Sequence, residues 1–205
     1  MQSFLSSLDW RFATKKFDPN RQVSEEHIDQ IRKAIQQVPT SFGLQPFHVE
    51  IIKDLALREK LKVASFNQSQ VTDASHIFVF CARNDISQRI TDMIELMSSG
   101  NEEVKKSLEP YESMMRGTVE GKDSEQRMNW ASRQTYLALA FALAACAELH
   151  IDSCPMEGFD AAAVHAILEL PDHIQPFAYM TVGYRQEDAL HPKFRFPQDD
   201  LFTTK

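Results

Sequence analysis

Glycine is scarce in this chain, with six in 205 residues at Gly43, Gly100, Gly117, Gly121, Gly158 and Gly183. No two stand as G-x-G, so neither a Rossmann dinucleotide fingerprint nor a Walker loop can be written anywhere. Any phosphate-bearing ligand must be held by something other than a glycine cradle. Cysteine is sparse as well: Cys81, Cys146 and Cys154 are odd in number and form no C-x-x-C pair. Set in apolar contexts such as Phe78-Val79-Phe80-Cys81-Ala82, they read as buried free thiols of a reducing compartment. The seven histidines include no H-E-x-x-H or comparable spacing, which argues against zinc hydrolysis and for no metal at all. There is no G-x-S-x-G elbow, and no cysteine has neighbours that would lower its pKa, so nucleophilic hydrolysis lacks support.

Positive charge and long apolar runs are also lacking. With 22 Lys+Arg against 29 Asp+Glu the formal net charge is -7, which counts against nucleic acid, whose phosphates are held by a surplus of Lys and Arg. The longest apolar stretch runs only from Tyr136 to Ala147, where a bilayer span needs roughly twenty residues, so it reads as a core or subunit-interface helix. Residues 1–11 carry no basic region ahead of an apolar run, which leads us to expect a cytoplasmic protein. Hydrophobic content of 43% and charged content of 25% are ordinary globular values.

Local signals give the organisation. Ser24 followed by Glu25 and Glu26 reads as an N-cap with acids in the first turn, and Ile28, Ile31, Ile35 and Val38 recur at helical spacing up to Pro39. The stretch Pro39 to Pro46 is an ordered loop. Val49–Ile52 is strand-like, Leu55–Val63 helical, and Ile77–Ala82 an unbroken apolar run expected to be a strand buried on both faces. From residue 85 to about 127 a helical excursion is expected, to be read either as a lid or as a solvated helix pair. A long helix from about Arg127 to Leu149 is apolar nearly all round in its second half and must be enclosed on most sides. Ala161–Leu168 is a further helix and Ala178–Tyr184 a buried strand, while the tail from His191 to Pro197 is too proline-rich for a central strand. Helices outnumber strands without β-α alternation, which predicts an α+β fold in a single domain spanning residues 1–205.

Chemistry has to be sought among basic and loop residues near the two ends. Arg11 and Lys15 stand at i, i+4, and Lys193 and Arg195 alternate in the tail, sharing a side if that segment is extended. Taken alone, these charges could equally be solvated surface. The segments between them carry more: Arg11-x-x-Thr14-Lys15-x-Phe17-Asp18, Pro39-Thr40-Ser41-x-x-x-Gln45-Pro46-Phe47-His48, Phe66-Asn67, Asp73-Ala74-Ser75-His76, Gln134-x-Tyr136-Leu137, Pro155-Met156-Glu157-Gly158-Phe159 and Pro192-Lys193-x-Arg195-x-Pro197. In that order and spacing the set resembles the oxygen-insensitive NAD(P)H nitroreductase family, in the branch that includes dihydropteridine reductase activity. The match runs from about Leu5 to Pro197 and fades between Asp85 and Arg127.

The resemblance implies a nitroreductase-like α+β protomer, a central and mostly antiparallel sheet surrounded by helices, in an intertwined homodimer with FMN at each of two interface sites. Arg11, Lys193 and Arg195 would take the FMN phosphate, replacing a glycine loop by cationic side chains. Phe12 and Ala13 would lie along the cofactor, and Lys15 near the flavin pyrimidine edge, where a fixed cation stabilises the charge that develops on reduction. Pro155, Met156, Glu157 and Gly158 would pass one ring face, with the Glu157 amide reaching flavin N5. Thr40, Ser41, Gly43, Asn67, Gln70 and Gln134 would line the rest from one or other subunit. Phe42, Tyr111 and Met114 are candidates for walls of the substrate site, with ordinary packing as the alternative.

Three positions depart from the family's pattern. Ala13 stands where the family usually offers a serine hydroxyl, removing one hydrogen bond of about 1 kcal/mol. Gly43 and Gln70 stand where relatives often carry Asn and Lys. The activity implied is a ping-pong reduction of nitroaromatics or quinones, with NADH or NADPH as hydride donor and a small aromatic acceptor. Two readings remain beside it. One is a same-fold enzyme acting on a pteridine, an activated alkene or a halogenated aromatic, and the other is a non-catalytic dimer, binding flavin or only docking through the Tyr136–Ala147 helix.

Overall fold

A computed structural model describes residues 4–205, so the first three residues of the 1–11 stretch lie outside the described residues. Four strands form one sheet: β1 (Phe47–Ile52), β2 (His76–Arg83), β3 (Asp152–Met156) and β4 (Ile174–Gly183), in the order β1-β2-β4-β3 with every pairing antiparallel. The helices are α1 (Phe4–Trp10), α2 (Glu25–Gln36), α3 (Leu55–Ala64), α4 (Gln70–Asp73), α5 (Ile86–Ser98), α6 (Glu102–Val119), α7 (Ser124–Glu148), α8 (Ala161–Ile167) and α9 (Gln198–Leu201). The expected α+β architecture, helix-rich and antiparallel, is what the chain adopts.

β2 explains the unbroken apolar run. Side chains of a strand alternate between faces, and here both faces are covered. Ile77, Val79 and Cys81 join Leu61 and Ala64 of α3, Val164 of α8 and Tyr179 of β4 on one side. Phe78 and Phe80 join Ile28, Ile31 and Ile35 of α2 and Ala138, Leu139, Ala142 and Cys146 of α7 on the other. Each fully buried Phe contributes about 1.5–3 kcal/mol, so β2 anchors both layers. The register with β4 slips between Phe80 and Cys81, where Pro176 stands opposite Cys81. That proline lies beyond the residues paired with β3, so its missing N–H interrupts only one edge.

α2 starts as its sequence predicts, with the Ser24 hydroxyl accepting from His27 N–H at 3.3 Å. α7 begins earlier than the apolar pattern suggests because Asp123 and Gln126 form a capping box, each side chain accepting from the other's backbone N–H. Residues 85–127 hold α5 and α6, which pack on a third cluster. Ile86, Ile90 and Ile94 recur at i+4 on α5 and meet Met115 and Val119 of α6 and Met128 and Ala131 of α7. The pair is therefore seated on its own core, with Leu96, Met97, Val104 and Met114 left exposed among polar residues on its other side.

The enclosure expected for α7 is incomplete within one chain. Tyr136, Leu137 and Phe141 are 38%, 42% and 39% exposed, and with Arg133 and Ala140 they form a stripe at i, i+3, i+4 spacing down the helix. In the tail, Phe194, Phe196, Leu201 and Phe202 are likewise exposed. No described helix is long and apolar enough to cross a membrane. The three cysteines are buried and free.

Candidate functional site

After α1 ends at Trp10 the chain runs extended beside β3. Ala13 bridges to Ser153 in a parallel sense, and Thr14 N–H donates to Ser153 O at 3.3 Å. Arg11 and Lys15, at i, i+4, thus share a side by strand alternation. The register is locked by Asp152, only 4% exposed. Its carboxylate accepts from Arg185 N–H at 2.8 Å, from Arg185 Nε at 2.7 Å and from the Thr14 hydroxyl at 3.3 Å. The Arg185 guanidinium in turn sits 4.4 Å from the ring centroids of both Trp10 and Phe12. The Phe12 ring stacks with Arg185, and Phe12, Ala13, Lys15 and Lys16 border a cavity of about 310 Å³ closed by residues 187–191.

Positive charge gathers at one end of this segment. Burial lowers the Arg11 pKa from its ordinary value, and the facing Arg195 lowers it further. Lys193 is lowered by partial burial and by Arg11 and Arg195, with Asp9 opposing. The Lys193 ammonium donates to Leu8 O at 2.6 Å, and Arg195 Nη1 to Phe194 O at 2.6 Å. Among the described residues Arg11 Nε is buried and has no hydrogen-bond partner. Three cations that repel one another around an unsatisfied donor form a site suited to an anion. Lys15 lies at the other end of the segment, its ammonium 3.4 Å from Cys154 Sγ, which brings it to the strand that leads into Pro155–Gly158.

Pro155 and Met156 end β3, and the exposed Glu157 and Gly158 follow. The Tyr136 hydroxyl donates to Glu157 Oε1 at 2.7 Å; burial and this bond push the phenol up to about 12. Gln68 Nε2 donates to Gly158 O at 2.8 Å, and a Cβ on residue 158 would stand 3.0 Å from that nitrogen, so a larger residue would push the amide by a few tenths of an ångström. Phe66 and Asn67, both with φ in the left-handed region at 54° and 57°, turn the chain after α3 so that Gln68 reaches this far. Asn67 is exposed. Gln70 is buried and turned to Gln68, its Nε2 donating to Gln68 Oε1 at 3.1 Å.

A second group forms around residues 40–45. Phe42, Gly43 and Gln45 have φ of 58°, 70° and 45°, a strained run that only glycine adopts freely. It is held by Ser41 N–H donating to Gln134 Oε1 at 2.9 Å, by Gln45 N–H donating to the Thr40 hydroxyl at 3.0 Å, and by the Tyr111 hydroxyl donating to Phe42 O at 3.2 Å. The Phe42 and Tyr111 rings meet edge to face at 6.4 Å, and Met114 on the same helix is exposed. Gln134 and Tyr136 are two residues apart on α7, hence about 200° around the helix. In one chain the 40–45 loop and the Glu157 segment therefore lie on different sides of α7.

Sequence reading missed Gln68, Tyr136, Asp152 and Arg185 as parts of this region. The Gln134-x-Tyr136 motif was the available signal for Tyr136. Nothing local marks the others, whose partners lie 33 to 138 positions away along the chain. Among the described residues no group of His, Cys, Asp and Glu could hold a metal ion.

Known proteins with this pattern are informative. The family described as "Nitroreductase family" matches residues 8–184. A Staphylococcus epidermidis protein named "putative NAD(P)H nitroreductase" is 34% identical over 98% of this chain and 96% of its own. Among solved structures, a Bacillus subtilis protein described as a "putative nitroreductase" superimposes with a TM-score of 0.87 at 22% identity, covering 98% of both chains. An Exiguobacterium sibiricum protein described as a "putative nitroreductase in complex with FMN" gives 0.86 at 18% identity, covering 100% of this chain and 98% of its own. At those identities the two structures speak to fold.

Proposed function

Since the chain belongs to the nitroreductase family, we propose that it is an FMN-dependent NAD(P)H oxidoreductase, a single domain over residues 1–205 that works as a homodimer. The observation that carries this reading is the cluster of Arg11, Lys193 and Arg195 around the buried, unpartnered Arg11 Nε. Those residues fit a flavin phosphate, which offers several acceptor oxygens and two negative charges to a site that is otherwise self-repelling.

When bound, FMN supplies the redox chemistry, accepting hydride from NADH or NADPH and delivering it to a flat acceptor such as a nitroaromatic or quinone, two electrons at a time. Arg11, Lys193 and Arg195 bind the phosphate. Lys15 provides fixed positive charge at the pyrimidine edge, and the Glu157 backbone amide offers a donor for N5. Ala13 adds no hydroxyl. Asn67 and the backbone of Pro155–Gly158 border the ring, with Gln70 acting behind Gln68.

Assembly explains the second group. Thr40, Ser41, Gly43 and Gln134 stand on the other side of α7 from Glu157, so a second copy is needed to bring such a loop to the same flavin. The exposed Tyr136-Leu137-Phe141 stripe is the surface through which two α7 helices would meet. Phe42, Tyr111 and Met114 would then wall the acceptor side.

Purified protein should be yellow and release FMN on denaturation. Under anaerobic conditions NADH or NADPH should bleach it rapidly, and a quinone or nitroaromatic should restore the colour. Protein that stays yellow with both nucleotides would refute the enzymatic reading. Colourless protein that binds no added FMN would refute the cofactor.

A further inference from the structure

Gln68 has no place in the family resemblance described above, yet it makes the hydrogen bonds that tie the Glu157–Gly158 segment to the rest of the protein. Its Nε2 donates to Gly158 O at 2.8 Å and to Ser65 O at 3.1 Å, and its Oε1 accepts from the buried Gln70 Nε2 at 3.1 Å. The last bond fixes which end of the amide faces Gly158, because a flipped Gln68 would set two donors against each other and aim an oxygen at a carbonyl. The left-handed Phe66 and Asn67 bring the side chain into place, anchored by Asn67 N–H to Lys62 O at 2.9 Å and Gln68 N–H to Ser65 O at 3.2 Å. Gly158 completes the fit by leaving out the Cβ that would stand 3.0 Å from Nε2.

The segment is pinned on either side of this bond. Met156 pairs with Tyr179 in the sheet. Phe159 N–H donates to Glu157 O at 2.9 Å, and Asp160 N–H to Ala64 O at 2.8 Å before Asp160 caps α8. Tyr136 holds the Glu157 carboxylate. Between strand and cap, Gln68 is the one side chain among the described residues that donates to the segment's backbone.

We propose that Gln68, backed by Gln70, is a positioning residue that sets the orientation of the Glu157 amide toward the flavin. The inference rests on the flavin reading above. It assigns Gln70 a supporting role at one remove from the cofactor, and it makes hydride transfer depend on an amide that touches neither substrate nor ring.

The test compares the wild-type holoenzyme with Gln68→Glu, which keeps the shape but faces Gly158 O with a carboxylate oxygen, and Gln68→Asn, which is too short to span Ser65 O and Gly158 O. Flavin content, thermal midpoint, flavin reduction potential, amide exchange across residues 155–160 and the stopped-flow rate of flavin reduction by NAD(P)H are read on each. Both variants are expected to keep their flavin and midpoint, to exchange faster across 155–160, to show a more negative potential and to be reduced about five- to tenfold more slowly, as for one misaligned hydrogen bond. The Gln68→Glu deficit should shrink as the pH is lowered toward the ordinary glutamate range, about 4.3, as a growing fraction of the carboxyl is protonated and can again donate to Gly158 O. Wild-type rate and potential in both variants would overturn the proposal. So would a variant that loses flavin yet, reloaded with excess FMN, is reduced at the wild-type rate, since Gln68 would then serve retention alone. Wild-type protein that neither holds FMN nor reacts with NAD(P)H would instead refute the underlying flavin reading, and this inference with it.

Discussion

Replacing Arg11 by methionine should move two stabilities in opposite directions. Among the described residues the Arg11 Nε is a buried donor with no partner, and its guanidinium faces Arg195 and Lys193. An unsatisfied buried donor costs about 1–3 kcal/mol, and methionine fills a similar volume without it. After some loss of fit, a net gain of about 1 kcal/mol is expected, which raises the thermal midpoint of a chain of this size by about 2–4 °C. With FMN the sign reverses. Arg11→Met removes a charge-assisted phosphate contact of about 1.5–3 kcal/mol, so FMN affinity should fall roughly thirtyfold, as for ~2 kcal/mol. At FMN concentrations far above both dissociation constants the variant should lose that same ~2 kcal/mol of ligand stabilisation, enough to bring its midpoint below that of the wild type. Differential scanning calorimetry with and without FMN, and titration of flavin fluorescence, measure both quantities. A variant destabilised equally in the two states would refute the reasoning, since Arg11 would then be a structural residue and its unpartnered Nε no sign of a ligand.

Asp152→Asn should cost about 3 kcal/mol in urea unfolding, because it leaves the Arg185 guanidinium between Trp10 and Phe12 with only the exposed Asp188 as an acidic partner; a loss below about 1 kcal/mol would show that the pair is not what locks Arg11–Lys15 to β3. Lys15→Ala should lower the flavin reduction potential more than flavin occupancy, and an unchanged potential in spectroelectrochemical titration would remove Lys15 from the pyrimidine edge. Phe141→Glu puts a charge in the exposed α7 stripe and should give monomers without flavin in sedimentation, whereas a flavin-loaded dimer would place the interface elsewhere. The Cys81 and Cys146 thiols, pushed up to about 12 mainly by burial, stay protonated at pH 8; native protein should therefore leave both unreacted with a thiol reagent, and rapid labelling would contradict their burial.

Much of the fold was legible because local patterns carry it. The run Ile77–Ala82 reads as a strand covered on both faces, Ser24 and the isoleucines after it specify α2, and the lack of Gly and Pro through 124–148 permits one long helix. The start of α7 was misread only because polar residues in a capping box hide a helical turn from an apolar pattern. For the candidate site the ordered motifs supplied residue names through the family resemblance, but neither their arrangement nor Gln68, Asp152 and Arg185.

The sequence by itself determined where α2, β2 and the long α7 would form and that no glycine loop could hold a phosphate; the cationic residues of both chain ends came forward only through the family resemblance. Tertiary structure alone decided how those residues meet. It put Arg11 and Lys15 on one side by extending the chain beside β3, turned the Phe12 ring onto Arg185, drew Gln70 inward to Gln68, and set the 40–45 loop and Glu157 on different sides of α7. The physical reason is range: periodicity and capping act over a few residues, whereas Lys193 meets Leu8 across 185 positions and Thr14 meets Asp152 across 138. Contacts of that span exist only once the sheet and its covering helices have closed.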